Sequence, residues 1–246
     1  MTASLDVTPP SKGPTVVIAQ PTYVPWMGYF EQIARADIFV VLDSVQFEKK
    51  SWQSRNRLRD ASGEPFWLTV PIAAHPQDTR IGDIRIASAR RGWPVKHLRS
   101  IERSLRRAPF FDEVYPTVES WLSGDFEKLV DVNVNGIRLI AEMLELKPVW
   151  RYASSMPVTG VKGDLVLDIC RHVGAARDYV SAGARGYLEP MRPRFTSAGV
   201  ELAFQEWDHP TYPQRGAGFV SHLSVIDALM NVGPATVRRM IGADER

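Results

Sequence analysis

The chain has a single cysteine, Cys170, which excludes an internal disulfide and any cysteine-rich metal site. It has no apolar run of the length that spans a bilayer and no signal-peptide pattern before its first strand, so no membrane association and a cytoplasmic location are expected. Charge of one sign is also scarce. Thirty Lys and Arg stand against 28 Asp and Glu, a net +2, too mild to call for nucleic acid. There is no glycine-rich phosphate loop, no HExxH and no G-x-S-x-G, which removes the familiar nucleotide, zinc-protease and hydrolase sites. The five histidines, His75, His97, His172, His209 and His222, are scattered without ligand spacing. Neither a metal nor a cofactor is expected.

What is present begins with an alternation of apolar runs and amphipathic stretches over 246 residues, enough for one sizeable core or two small ones. Met1 to Pro14 is rich in Thr, Ser, Pro and Gly without periodicity and is read as a disordered tail. Val16-Val17-Ile18 predicts a buried strand, Gln20-Pro21 and Pro25 a turn, Met27 to Ala36 a helix, and Ile38 to Leu42 a second strand ending at Asp43. Such a crossover unit sets Gln20 and Asp43 at neighbouring strand ends, the edge where open α/β sheets bind ligands. Val45 to Arg59 reads as a polar loop, Phe66 to Ile72 as a strand, and Ile81 to Ile86 as a short strand.

From about 94 to 147 the pattern is mainly helical. A basic amphipathic helix follows Pro94, an aromatic turn holds Phe110-Phe111 and Tyr115-Pro116, Val118 to Leu122 begins another helix, and Leu129 to Leu144 has a good apolar face. Then come a strand at Val149 to Tyr152, a helix from Asp164 to His172, a strand at Asp178 to Ser181, and another at Val200 to Phe204. Trp207 to Gln214, with two prolines, is a shaped loop. Ser224 caps a final short helix to Met230. The expected fold is α/β: a Rossmann-like, mostly parallel sheet with flanking helices and a helical insertion, in one domain over 15–246.

Three blocks, AQPTYVPWMGYFEQIARADIFVVLDSVQFEKKSWQSRNR, FWLTVPI and HPTYPQRGAGFVSHLSVIDALMNVG, occur in an order that resembles the WbqC-like protein family from about Ile18 to Gly233. The resemblance implies a bacterial biosynthetic role, since members are commonly encoded among genes for O-antigen, other polysaccharides and specialised metabolites. Gln20, Tyr23, Gly28, Asp43, Gln46, Lys50, Trp52, Asn56 and Arg57 fit the family pattern. Ala19 departs from it, because many members carry His there. The opening unit is also similar in topology to nucleotidyltransferases of the HxGH type, whose triphosphate-binding histidines are absent here.

Two residues are candidates for proton transfer. Asp43 at its strand end acts as general base or pairs with Lys50 or Arg57; His209 in its shaped loop moves a proton near neutral pH or caps structure. Gln20, Tyr23, Gln46, Lys50, Trp52, Asn56, Arg57, Tyr212 and Gln214 are candidates for substrate binding. Lys49, Lys50, Arg55 and Arg57 make either an anion site or a solvated basic loop. Trp26, Trp52 and Trp67 stack on ligand or fill core, and Cys170 reads as buried and inert. The preferred function is transfer of an acyl or aminoacyl group onto an amine or hydroxyl of a small, phosphorylated or sugar intermediate. The alternative is a non-catalytic ligand-binding or scaffold protein. The partners expected are an anionic small molecule and an acyl carrier protein docked on the basic helix at 94–107.

Overall fold

The computed structural model describes residues 13–60, 62–87 and 92–245. Of the tail expected over 1–14, residues 1–12 lie outside the described residues, while the Pro14 carbonyl accepts hydrogen bonds from Ala176 and Arg177 N–H. Short segments, β-branched in the first two cases, become β1 (Thr15–Ala19), β2 (Ile38–Val41), β5 (Val149–Tyr152), β6 (Arg177–Val180) and β7 (Glu201–Phe204), all parallel in the order β5-β2-β1-β6-β7. The connections run outward from β1 to β5 and then return to β6 and β7. The order therefore reverses between β1 and β6, which makes a crevice at their carboxyl ends.

Strand residues alternate between two cores, as a two-faced parallel sheet requires. Val16, Val40, Val180, Leu202 and Phe204 face α5 (Gly163–His172) and α7 (Arg192–Ser197), where Cys170 lies fully buried. Val17, Phe39 and Val41 face α1 (Met27–Arg35). That second core runs on without a break into the helical segment α2 (Trp93–Leu105), α3 (Phe111–Leu122) and α4 (Leu129–Met143) and into α8 (Val225–Val232). Ser224 caps α8, its hydroxyl accepting from Ile226 N–H at 3.3 Å.

Four local expectations fail. The polar loop read over Val45–Arg59 ends in a strand, β3 (Arg55–Arg59), paired antiparallel with β4 (Pro65–Thr69). Its inward side chains include a buried Arg59, whose guanidinium donates to Gln214 Oε1 and to the carbonyls of Ala217 and Gly218. The aromatic turn is instead the start of α3, which contains Pro116; burial of Phe111, Val114, Val118 and Trp121 along one face outweighs the lost hydrogen bond. Ile81–Ile86 finds no partner strand and forms a 3-10 turn over Ile81–Asp83 followed by isolated bridges, Arg85 to Lys128 and Ile86 to Ile72. After Gly233, at φ +82°, the chain makes a further helix, α9 (Pro234–Met240), with proline at its first position.

Candidate functional site

At the carboxyl edge of the sheet lies a cleft of about 1030 Å³. Its lining comes from every strand end on one side of the crevice: Gln20 after β1, Leu42, Ser44, Val45 and Gln46 after β2, and Ala153, Ser154, Met156 and Val158 after β5. Arg80, the 159–166 segment that opens α5, and Tyr187 of α6 (Arg185–Leu188) complete it.

The floor is set by a pair. Asp43, 5% exposed, accepts from Ser154 N–H through Oδ1 at 2.9 Å and from the Ser154 hydroxyl through Oδ2 at 2.6 Å. Ser154 itself is exposed and lines the cleft. A short hydroxyl–carboxylate bond of this kind is charge-assisted and fixes the hydroxyl rotor. Asp43 is held in turn by its backbone, with its carbonyl accepting from Gly82 N–H at 2.9 Å. Gln20 is oriented from behind, its Oε1 accepting from Gln53 Nε2 at 2.7 Å and its carbonyl from the Tyr29 hydroxyl at 3.1 Å. Asn133 of α4 clamps the same turn by donating to the carbonyls of Pro21 and Gln53. The helical segment thus positions a strand-end turn of the sheet.

The rim is basic. Arg80 and Lys162 line the cleft, and among the described residues neither forms an ion pair. Lys162 precedes α5 at φ +51°, a conformation costly for a side-chain-bearing residue, and strain of this sort is concentrated at ligand sites. The first N–H groups of α5 add partial positive charge beside these cations. Glu48 is the acidic residue of the lining.

The substrate-binding candidates divide among three places. Gln20 and Gln46 line the cleft, and Gln46 Nε2 donates to the Gln77 carbonyl at 2.8 Å. Tyr23 lies in the core instead, fully buried, its hydroxyl bonded to His97 Nδ1 at 2.8 Å. Burial pushes the Tyr23 phenol upward and the His97 imidazole down to about 4, so this pair is neutral near pH 7. His97 is therefore a buried member of the core. Asn56 is a clamp within the same core, donating to the carbonyls of Tyr23 and Val24 while accepting from Arg57 N–H.

Trp52 and Arg57 lie on the exposed face of the β3–β4 hairpin. Arg57 sits 5.8 Å from the Trp52 ring and 5.9 Å from that of Trp67, and Arg55 lies 4.1 Å over Trp67. Lys50, exposed at φ +59°, precedes this face. The Lys49–Arg57 cations thus contribute none of the cleft lining.

His209 joins a third group. Its ring stacks at 6.0 Å on Trp26 and lies tilted 4.9 Å from that of His222, with Nδ1 2.9 Å from the Pro210 carbonyl, and partial burial lowers its pKa. Tyr212 donates to Asp227 Oδ2, and Gln214 is engaged by Arg59 and Val220. Among the described residues, none from 207 to 214 lines the cleft, whereas Asp43 is tied to it through Ser154, so Asp43 and His209 occupy separate places. His209 and His222 do meet, but no group of three or more His, Cys, Asp or Glu residues able to hold a metal occurs among the described residues. No described helix is long and apolar enough to cross a membrane.

Ser154, Arg80, Lys162 and Tyr187 were not singled out in the sequence. For Ser154 a signal existed: it follows the strand read at Val149–Tyr152, as Asp43 follows its own. The other three reach the cleft on loops or a short helix that no periodicity announces.

The profile of the WbqC-like protein family matches residues 20–239. The uncharacterized protein Rv1507c of Mycobacterium tuberculosis is 28% identical over 222 residues, which cover 89% of this chain and 94% of that protein. No solved structure matches.

Proposed function

Because this chain belongs to the WbqC-like protein family, we propose that the cleft at the carboxyl edge of its sheet binds a small anionic biosynthetic intermediate and transfers an acyl or aminoacyl group onto an amine or hydroxyl of it. The observation that carries this reading is the Asp43–Ser154 pair at the foot of a cleft rimmed by Arg80 and Lys162. Arg80, Lys162 and the α5 N-terminus supply charge for a phosphate or carboxylate, and Gln20 and Gln46 supply directional hydrogen bonds. Ser154 Oγ takes the proton of the attacking amine or hydroxyl while its own proton passes to Asp43 Oδ2. The carboxylic acid so formed returns that proton through the same hydroxyl to the departing group. Proton transfer is assigned to this pair because Ser154 lines the cleft and Asp43 is bonded to it, whereas His209 has no such link to the lining.

The test presents acyl and aminoacyl thioesters with phosphorylated amine and hydroxyl acceptors and follows product by mass spectrometry, with ligand binding read in parallel by thermal shift. Ser154→Ala and Asp43→Asn should lower product formation by about a hundredfold or more while retaining binding. Binding in the cleft without product from any donor would favour a ligand-binding protein of a biosynthetic complex.

A further inference from the structure

The exposed face of α2 and the turn after it carry a second concentration of positive charge. Arg99, Arg103, Arg106, Arg107 and Arg215 line a hollow of about 570 Å³ with Glu102 as its acidic residue. Five arginines against one glutamate leave a local net charge of +4. Glu102 is already engaged by Arg106.

A solvated basic helix face is the ordinary explanation of such a run, and the last arginines do gain from the helix C-terminus. Two features exceed it. Arg99 and Arg103 stand one turn apart on α2, where like charges repel and destabilise the helix, and Arg106 and Arg107 follow directly at its C-terminal end. Arg215, moreover, comes from the distant 207–222 loop, and its guanidinium donates to the Ser104 carbonyl at 3.1 Å. The buried Arg59 fixes that loop by its bonds on either side of Arg215, to Gln214 and to Ala217 and Gly218. The fifth cation is therefore delivered to the hollow by tertiary structure.

We propose that this hollow is an anion site, separate from the cleft, for a small molecule bearing two or more linked phosphate groups. The residues are all arginine, whose planar forks bind phosphate oxygens in pairs where lysine offers a point charge. The volume is that of a small-ligand site. A diphosphate at neutral pH brings several negative charges, which matches the local excess and relieves the repulsion along α2. Binding would tie α2 to the 214–218 loop.

Inorganic pyrophosphate titrated into the full chain by calorimetry, at low salt and at physiological salt, tests this. The expected result is a saturable binding component, weakened at least tenfold by Arg103→Gln with Arg107→Gln, and by Arg215→Gln, and retained in Arg80→Gln, which alters only what the cleft itself binds. All are exposed or half-buried positions, and melting curves of the free variants confirm that they fold. Arg215→Lys, which keeps charge but loses the fork, should bind with intermediate affinity. Pyrophosphate binding that Arg80→Gln removes and the hollow variants spare would overturn the proposal. So would the absence of binding, or sulfate binding as tightly as pyrophosphate. Capture of an acidic carrier protein with no pyrophosphate binding would make this face a protein dock and equally overturn it.

Discussion

The carboxyl edge of the sheet and the β3–β4 hairpin contain the same kinds of residue, amides and cations beside aromatics, yet use them in opposite ways. On the hairpin side these groups satisfy one another: Asn56 closes two carbonyls, Arg59 closes three acceptors, and Arg55 and Arg57 lie on tryptophan rings. At the sheet edge the amides come one at a time from separate strand ends, and Arg80 and Lys162 line the cleft, exposed and without an ion-pair partner among the described residues. A cluster of polar residues in sequence is thus a poor guide to a binding site, because segments far along the chain can saturate it, as those at 23–24 and 214–218 do here. Isolated polar residues after apolar strands are the better guide.

The sharpest way to test this contrast is to remove chemistry from the edge and structure from the hairpin. Ser154→Ala or Asp43→Asn should lower turnover about 10²–10⁴-fold while melting temperature stays close to that of the wild type. A collapse of stability in either variant would put the edge in the same class as the hairpin. Asn56→Ala should do the reverse. With two buried carbonyls and the Arg57 N–H left unpaired, it costs about 2–4 kcal/mol, or about 5–10 °C in a thermal melt at this size.

A third variant separates both regions from the sheet's interior. Asp178 of β6 is fully buried, and among the described residues neither of its oxygens has a hydrogen-bond partner. Burial raises its pKa to about 8. The folded state holds this proton more tightly than the unfolded chain, so stability is highest at acid pH and falls as pH rises from about 4, the unfolded value, toward the folded one. Asp178→Asn should flatten that decline, with a gain on the order of a few kcal/mol at pH 8 and little at pH 4. Equal melting curves for the two proteins at pH 8 would contradict it. The smallest effect is expected on the hairpin's outer face, where Trp52→Ala, at a residue 46% exposed, should shift stability by no more than about 1 kcal/mol.

How much of this was legible follows from the same physics. The strand–helix–strand opening, the helix over 129–143 and the cap at Ser224 were readable because burial on one face leaves a periodic trace. β3 was not, since Arg55, Arg57 and Arg59 alternate with Asn56 and Leu58 in a strand whose buried members include a charged one. That charge is tolerable only because acceptors from 214 to 218 surround it, and no local pattern records them. α3 was hidden by Pro116 for a related reason, its stability lying in tertiary contacts. In the site, Asp43, Gln20 and Gln46 were readable from their strand ends and Ser154 was equally so, whereas Arg80 and Lys162 arrive on loops. Tyr23 and Asn56 share the opening block with Gln20, but their partners, His97 and the 23–24 carbonyls, make them core.

The buried Arg59 also has a consequence in time. Its partners lie 155 to 159 residues further along the chain. At a synthesis rate of roughly 5–20 residues per second, the guanidinium waits on the order of 10–30 s on the ribosome before its acceptors exist. During that interval the hairpin cannot close over its charge, and folding of this half must follow completion of nearly the whole polypeptide. Truncation before Gln214 should therefore release a chain whose β3–β4 hairpin stays accessible to proteases long after β1 and β2 have been made.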